Sequence, residues 1–409
     1  MSKVFICPSD IKSKSEISIT GSKSESNRLL VLNALYSNIE LLNLSNSDDT
    51  KVLIKALSNL NDEIDIHHAG TAMRFLTAFL AQIKDREFVI TGSNRMQERP
   101  IGILVDSLNE LGFDVTYLDK KGFPPLKISG KKNIKSEIKL NSSISSQYIS
   151  ALMLVAPSFE NGLKIILEGQ IISKPYINLT LNILKKIGVN CSFKSNIIEI
   201  KNHTKTQISK YTVESDWSSA SYYYSIVSLL DKSTIVLSNF FENSFQGDSK
   251  VSEIYESFGV NTTYKENAIH LTKMENYSKP DSLEFDLLEN PDLAQTISVT
   301  ALCMGIPLVL TGLQTLKIKE TDRIIALQNE LSKFGANVIC KHNSICISPP
   351  KKLKENITIK TYNDHRMALS FSVVGLITPI YIEDYNVVSK SYPGYWTDLK
   401  SIGFKIEFQ

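Results

Sequence analysis

Six stretches of this chain are apolar on nearly every side at helical length: RLLVLNALY, AMRFLTAFLAQI, YISALMLVAP, ASYYYSIVSLL, AQTISVTALCMG and RMALSFSVVGLI. A surface helix carries one apolar stripe, so helices like these belong inside a core. A chain with six of them must wrap its other elements around them. Each is preceded by a polar start: GSKSESN, HHAGT, SSISSQ, ESDWSS, ENPD and YNDH. Anchored at Thr71, Ser145, Ser218, Asp292 and Asp364, five of these starts lie 74, 73, 74 and 72 residues apart; the first, at Ser24, lies 47 residues before Thr71. The spacing predicts an α/β unit of about seventy residues, repeated about six times.

The strands of such a unit are visible as short β-branched runs: EISI (16–19), EFVIT (87–91), LKISG (126–130), LKIILEG (163–169), STIVLS (233–238) and ITIKTY (357–362). Between them lie amphipathic patterns that stop at a glycine and resume as a strand, as in LVDSLNELGFDVTYL and LQNELSKFGANVICK. Glycine there is the expected left-handed stop after the last helical turn.

A length of 409 residues predicts two domains. Basic and acidic residues number 45 and 43, for a net charge of +2, which excludes a general nucleic-acid binder and leaves room for a local basic pocket. The five cysteines are odd in number and scattered, with no CxxC or Cys/His ligand spacing, so neither a disulfide framework nor structural zinc is expected. MSKVFICPSDIK lacks the apolar centre of a signal peptide, and the apolar run 297–313 is short and broken by Gly305, Pro307 and Gly312. A cytoplasmic protein with no membrane partner is expected.

A buried helix with a polar start has a particular use. Its first N–H groups lack internal partners and its dipole makes that end positive. Several such ends aimed at one cleft form an anion site. The residues at these starts supply the rest. GSKSESNR offers Lys23, Ser24 and Arg28 as a phosphate or carboxylate cradle, or simply a serine cap with solvated charges. HHAGTAMR places Gly70, which permits close backbone approach, before a helix. His67 and His68 are adjacent and point apart, so a metal site is not expected there. In NRMQERPIG, Arg99 suits an ion pair as well as a ligand, and Arg95, read as a loop residue, is the better ligand candidate.

SSISSQY and ISKPY contribute Ser145, Ser146, Gln147, Ser173 and Tyr176, neutral groups suited to a polyhydroxylated ligand. ENPDLAQT places Asp292 at a helix start, where a capping role is the plain alternative. KIKETDR brings Lys319, Glu320, Asp322 and Arg323 together, NDHRMAL adds Asp364, His365 and Arg366, and SKSYPGYW adds Lys390. The seven cations Lys23, Arg28, Arg95, Lys319, Arg323, Arg366 and Lys390 are too many for one carboxylate. They suit substrates bearing several phosphate and carboxylate charges. Asp292 and Glu320 are then the proton-transfer groups. No GxSxG elbow, catalytic-cysteine pattern or GxGxxG after a strand is present, so neither a nucleophile nor a dinucleotide cofactor is expected.

GSKSESNR, AGTAMR, RMQERPIG, SSQY, ISKPY, DWSSASY, PDLAQT, KETDR, NDHRMA and Lys390, in this order, resemble the 3-phosphoshikimate 1-carboxyvinyltransferases of the enolpyruvyl transferase family. The resemblance runs from about residue 15 to residue 396. It implies an α/β fold of two similar domains, each of three βαβαββ units with buried parallel helices, an inverse α/β barrel. It implies an N-terminal domain over 21–213 and a discontinuous second domain of 1–20 and 214–409, with the active site in the cleft between them and closure on ligand binding. The implied reaction moves the enolpyruvyl group of phosphoenolpyruvate to the 5-hydroxyl of shikimate 3-phosphate and releases phosphate, by addition and elimination through a tetrahedral intermediate. No metal or organic cofactor is implied, the partners are the two small substrates, and a monomer is expected.

By the same resemblance Ser24, Arg28, Ser145, Ser146, Ser173 and Tyr176 contact shikimate 3-phosphate, with Gln147, Asp292 and Thr315 beside them. Gly70, Arg95, Gln147, Arg323, Arg366 and Lys390 contact phosphoenolpyruvate, and Lys23 and Lys319 serve both. Asp292 is the base for the 5-hydroxyl, and Glu320, with Lys319, handles the proton at the methylene carbon. His68 and Thr315 stand where the family usually has asparagine, and His68 would add a pH dependence. Gly70 leaves room for glyphosate, so inhibition competitive with phosphoenolpyruvate is expected. Two rival readings are the sister enzyme acting on UDP-N-acetylglucosamine, which usually carries a loop cysteine that no cysteine near Arg95 matches here, and a non-catalytic phosphate-ligand binding protein.

Overall fold

The structure is a computed structural model that describes residues 2–409 except 142–144, 170, 172 and 173. The chain divides into two compact units, Gly21–Val213 and a discontinuous one formed by Met1–Thr20 with Glu214–Gln409.

One strand pattern recurs through both units. A parallel pair is extended by two antiparallel strands, as in Leu283–Asp286 beside Leu308–Thr311, then Ile345–Ser348, then Asn337–Cys340. In chain order that sheet and its helices read βαβαββ: 283–286, Ala294–Met304, 308–311, Arg323–Lys333, 337–340 and 345–348. The same order of pairing appears in two sheets of the Gly21–Val213 unit and three of the other; Glu40–Leu42 and Lys210–Thr212 form a separate parallel pair. In the discontinuous unit the chain's opening strands are fitted between late ones. Lys3–Cys7 lies between Ile380–Glu383 and Lys405–Phe408, and Lys14–Ile17 runs parallel to Thr234–Leu237.

The six apolar stretches form the predicted interior helices: Lys23–Tyr36, Gly70–Ala81, Ser146–Val155, Trp217–Ser228, Ala294–Met304 and His365–Phe371. In Gly70–Ala81, Ser146–Val155 and Trp217–Ser228 every residue but one is buried, and the exceptions are the polar Thr71, Gln147 and Ser218 of the first turn. The first helix differs. Its residues 33–36 are only partly buried, because its C-terminal end meets a loop, where the Tyr36 hydroxyl donates to the carbonyl of His203. Strands alternate, as in Glu137–Asn141, where Ile138 and Leu140 are buried and their neighbours exposed. The helices are therefore inside and the sheets outside, the reverse of the usual α/β layering.

Polar side chains stitch these buried helices to one another. In the discontinuous unit Thr296 meets Ser221 at 3.1 Å and Ser370 at 3.3 Å, which joins three helices through hydroxyls. One turn on, Thr300 contacts Ser225 and Tyr255, each at 2.7 Å. Such pairs satisfy groups that would each cost about 1–3 kcal/mol if buried alone. The strand at Glu87–Thr91 falls where the sequence predicts it, and the stops at Gly112 and Gly335 have φ of 100° and 95°.

Candidate active site

In the Gly21–Val213 unit the site begins at the first buried helix. Ser22 caps it, accepting from the Glu25 amide, and the next residue, Lys23, lies 3.5 Å from Asp49. Arg28, one turn in, is buried, and among the described residues its hydrogen bonds go to neutral oxygens. Its Nε donates to Thr180 at 2.7 Å, Nη1 to the Ser24 carbonyl at 2.7 Å, and Nη2 to Ser150 at 3.1 Å and the Tyr176 carbonyl at 3.4 Å. Burial pushes its pKa down to about 10, against the partial support of Tyr176 and Glu25. A buried cation bonded only to neutral groups still has its charge to offer an anion. Ser145 caps the next helix through the Gln147 amide at 3.3 Å, and Ser146 is buried behind it. Ser173 lies outside the described residues.

Gly70 opens the second buried helix, and two guanidinium groups crowd it. A side-chain carbon there would stand 2.5 Å from Arg99 Nη1 and 3.1 Å from Arg74 Nη1. Arg74 is buried and donates to the carbonyls of Gly70 and Pro100 at 3.0 and 2.9 Å. Its pKa is pushed down to about 10, by burial first and then by the like charge of Arg99. Among the described residues no carboxylate pairs with Arg99. Arg95 is placed otherwise than the sequence reading had it. It lies in a short helix, Asn94–Gln97, rather than a loop, and its exposed guanidinium is paired with Glu98 at 2.9 Å. His68 Nδ1 lies 2.7 Å from Ser93 Oγ.

In the discontinuous unit one arginine organises the site. Arg323 Nε and Nη2 reach both oxygens of Asp364 at 2.6 and 3.2 Å, Nη1 reaches Asp292 at 2.8 Å, and Nη2 reaches Glu320 at 2.8 Å. Burial opposes the charge of Arg323, but Asp364, Glu320 and Asp292 outweigh it and raise its pKa above the ordinary arginine value. Asp364 caps the His365–Phe371 helix through the Arg366 amide, so one carboxylate fixes both Arg323 and the start of that helix. Arg366 turns back to Asp292, with Nη1 on its carbonyl at 3.0 Å and Nη2 at 3.3 Å from its carboxylate. Lys319 lies 3.5 Å from Asp292. Lys390 donates to the Asn363 carbonyl at 2.7 Å, one residue before Asp364. Thr315 stands in the Gln314–Ile318 turn, its hydroxyl buried and without a partner among the described residues.

The structure thus brings Asp292, Lys319, Glu320, Arg323 and Arg366 into one cluster, while Lys390 is placed on the Asn363 carbonyl, beside Asp364 in the chain. Sequence reasoning missed two members of these arrangements. Asp364 is read only as part of a helix start, and Asp49 sits in a stretch with no local pattern. For Arg99 a signal existed: the residue before a proline is held to extended backbone, which fixes where its side chain leaves the chain. Among the described residues no three His, Cys, Asp or Glu side chains group as a metal site.

Interior helices whose starts gather cations and carboxylates define a class: inverse α/β proteins that act on small substrates of high negative charge. The EPSP synthase (3-phosphoshikimate 1-carboxyvinyltransferase) family matches residues 61–399. The chain is 46% identical over 411 residues to a 3-phosphoshikimate 1-carboxyvinyltransferase of Bacteroides fragilis (strain YCH46), covering 100% of this chain and 99% of that protein. It is 36% identical over 423 residues to the enzyme of the same name from Colwellia psychrerythraea, covering 96% and 97%. The solved structure of EPSP synthase from Acinetobacter baumannii shares the fold, with a TM-score of 0.84 at 21% identity and 100% of both chains covered. The chain belongs to the EPSP synthase family and has its two-domain inverse α/β fold.

Proposed function

We infer that the chain transfers the enolpyruvyl group of phosphoenolpyruvate to the 5-hydroxyl of shikimate 3-phosphate, releasing phosphate, as the names of its relatives indicate. It is a transferase of the shikimate pathway. The observation that carries the residue assignment is the pair of carboxylates held on one buried guanidinium, Asp292 on Nη1 and Glu320 on Nη2 of Arg323. The reaction needs an acid and a base at neighbouring atoms. The hydroxyl must lose a proton as it attacks, and the methylene of the enol must gain one. Asp292, close to Lys319 and Arg366, is the base, and Glu320 with Lys319 delivers the proton.

Cations hold the anionic groups and stabilise the leaving phosphate. Lys23, Ser24, Arg28, Ser145, Ser146, Gln147, Tyr176 and Ser173 bind shikimate 3-phosphate, together with Asp292, Thr315 and Lys319. Lys23, Gly70, Gln147, Arg366 and Lys390 bind phosphoenolpyruvate. Arg99 replaces Arg95 in that set, because it stands against Gly70 without a carboxylate partner while Arg95 is spent on Glu98. Arg323, committed to three carboxylates, orients the proton-transfer pair as well as facing the phosphate. The balanced net charge of +2 supports a protein that acts without nucleic acid. Among the described residues no helix is long and apolar enough to cross a membrane. A cytoplasmic monomer completes the reading. The relatives do not favour the sister reaction.

The test is phosphate release by purified protein given phosphoenolpyruvate with either shikimate 3-phosphate or UDP-N-acetylglucosamine. Release with the shikimate ester alone is expected. Release with the sugar nucleotide, or with neither, sinks the reading.

A further inference from the structure

Asp248 is a buried carboxyl that the transfer, as derived above, does not use. It sits in the Gly247–Lys250 turn, which is tied down on two sides. Gln246 takes the Trp217 amide at 3.2 Å and donates to the Ser215 carbonyl at 2.8 Å; Asn290 donates to the Gly247 carbonyl at 2.7 Å. These bonds fix the turn against the start of the Trp217–Ser228 helix and against the residues that lead into Asp292. The result is a hydrogen bond from Ser218 Oγ to Asp248 Oδ2. Ser218 is the one residue of its helix that is not buried.

A chain of contacts leads from there into the site. Arg366 Nη2 donates to Ser218 Oγ at 3.2 Å, and the same nitrogen lies 3.3 Å from Asp292. Because Ser218 accepts from Arg366, its single proton is directed onward to Asp248. We propose that Asp248 is a positioning residue for the transfer: through Ser218 it holds Arg366 against Asp292, and it does so most firmly as a carboxylate. The proposal rests on the reading of Asp292 and Arg366 given above.

Protonated Asp248 takes the Ser218 proton only on a neutral carbonyl oxygen, so the acceptor end of the chain is weakened. Arg366 is then free to lean on Asp292 alone, which makes Asp292 a weaker base. The charges around Asp248 put this change in a useful range. Burial pushes its pKa up to about 6, the neighbouring carboxylates Asp292 and Asp216 push the same way, and Arg366 and the Ser218 hydroxyl pull it back. Lys250, on the same turn, is engaged by Glu253 instead.

The experiment is kcat/KM for phosphoenolpyruvate from about pH 5 to about pH 9 in wild type, Asp248→Asn and Ser218→Ala. Wild type should lose activity as pH falls through about 6. Asp248→Asn should lose that acid limb and raise KM for phosphoenolpyruvate about 10- to 100-fold, the range expected for a hydrogen bond to a charged group. Ser218→Ala cuts the link between Asp248 and Arg366, so it should lose the acid limb as well. A merely structural role moves neither limb. An Asp248→Asn enzyme with the wild-type acid limb, and KM within about twofold, overturns the proposal. If Asp248→Asn fails to fold by circular dichroism, Ser218→Ala decides: a retained wild-type limb overturns it. If wild type releases no phosphate, the functional reading has failed separately. Calorimetric binding of phosphoenolpyruvate over the same pH range, judged by the same shifts, then decides the proposal.

Discussion

Arg323 and Asp364 form a two-point ion pair, Nε to Oδ2 at 2.6 Å and Nη2 to Oδ1 at 3.2 Å, with the Asp364 side chain fully buried. Removing one partner leaves a buried charge poorly compensated, which costs about 3–5 kcal/mol. Asp364→Ala should therefore lower the stability measured by chemical denaturation by that amount, partly offset by Asp292 and Glu320. The exposed pair Arg95–Glu98 is the contrast. Glu98→Ala should change stability by about 1 kcal/mol or less. Equal losses in the two variants would contradict the central place given to Asp364.

The acid and the base can be told apart by kinetics. Asp292→Asn should lower kcat about 10²- to 10⁴-fold. Glu320→Gln should lower it in the same range while leaving the KM of shikimate 3-phosphate nearly unchanged, because only Asp292 is assigned to that substrate. Solvent-derived deuterium exchange into the methylene of phosphoenolpyruvate should be lost in Glu320→Gln. Undiminished exchange there would remove Glu320 from its role.

Arg95 and Arg99 lie four positions apart, and the structure gives them opposite surroundings. Arg99→Ala should raise the KM of phosphoenolpyruvate about tenfold or more, the loss of a charge-assisted contact. Arg95→Ala should leave it within about twofold. The reverse pattern would restore the assignment read from the sequence.

Gly70→Ala places a methyl carbon 2.5 Å from Arg99 Nη1. The end of a long side chain can shift aside, so the fold should survive. The shift moves a cation off its phosphate, and the KM of phosphoenolpyruvate should rise. Inhibition by glyphosate, expected to compete for that place, should weaken at the same time. A variant with both constants unchanged would show that Gly70 faces neither ligand.

Much of this architecture is written locally. A helix that is apolar all round declares its place in the core, and Ser22, Ser145, Asp216, Asp322 and Asp364 each cap a helix with their own side chains. Strand 87–91 has the alternation and β-branching that mark it at sight. What stayed hidden is non-local. Nothing near Asp364 says that Arg323 will reach it across 41 residues, and nothing near Asp248 points to Ser218, 30 residues back. Arg95 and Arg99 differ in their neighbours in space, which a reading of charge and loop position does not see: Arg95 meets Glu98 and Arg99 stands against Gly70. The pairing of the opening strands with late ones was equally out of reach, because a strand's partners are not written in its own residues.

That pairing has a consequence for how the protein is made. Residues 21–213 are complete as soon as they leave the ribosome, and their sheets close within that span. The other unit must wait. Lys3–Cys7 is synthesised early, yet it hydrogen-bonds to Ile380–Glu383 and Lys405–Phe408, which follow more than 370 residues later. Pairings this far apart in sequence form slowly. During translation the first twenty residues must remain unpaired while a finished domain grows behind them, and the sheet that buries Val4 and Ile6 closes only when the final strand arrives. Loss of Lys3–Cys7 or of Lys405–Phe408 therefore strikes the same sheet.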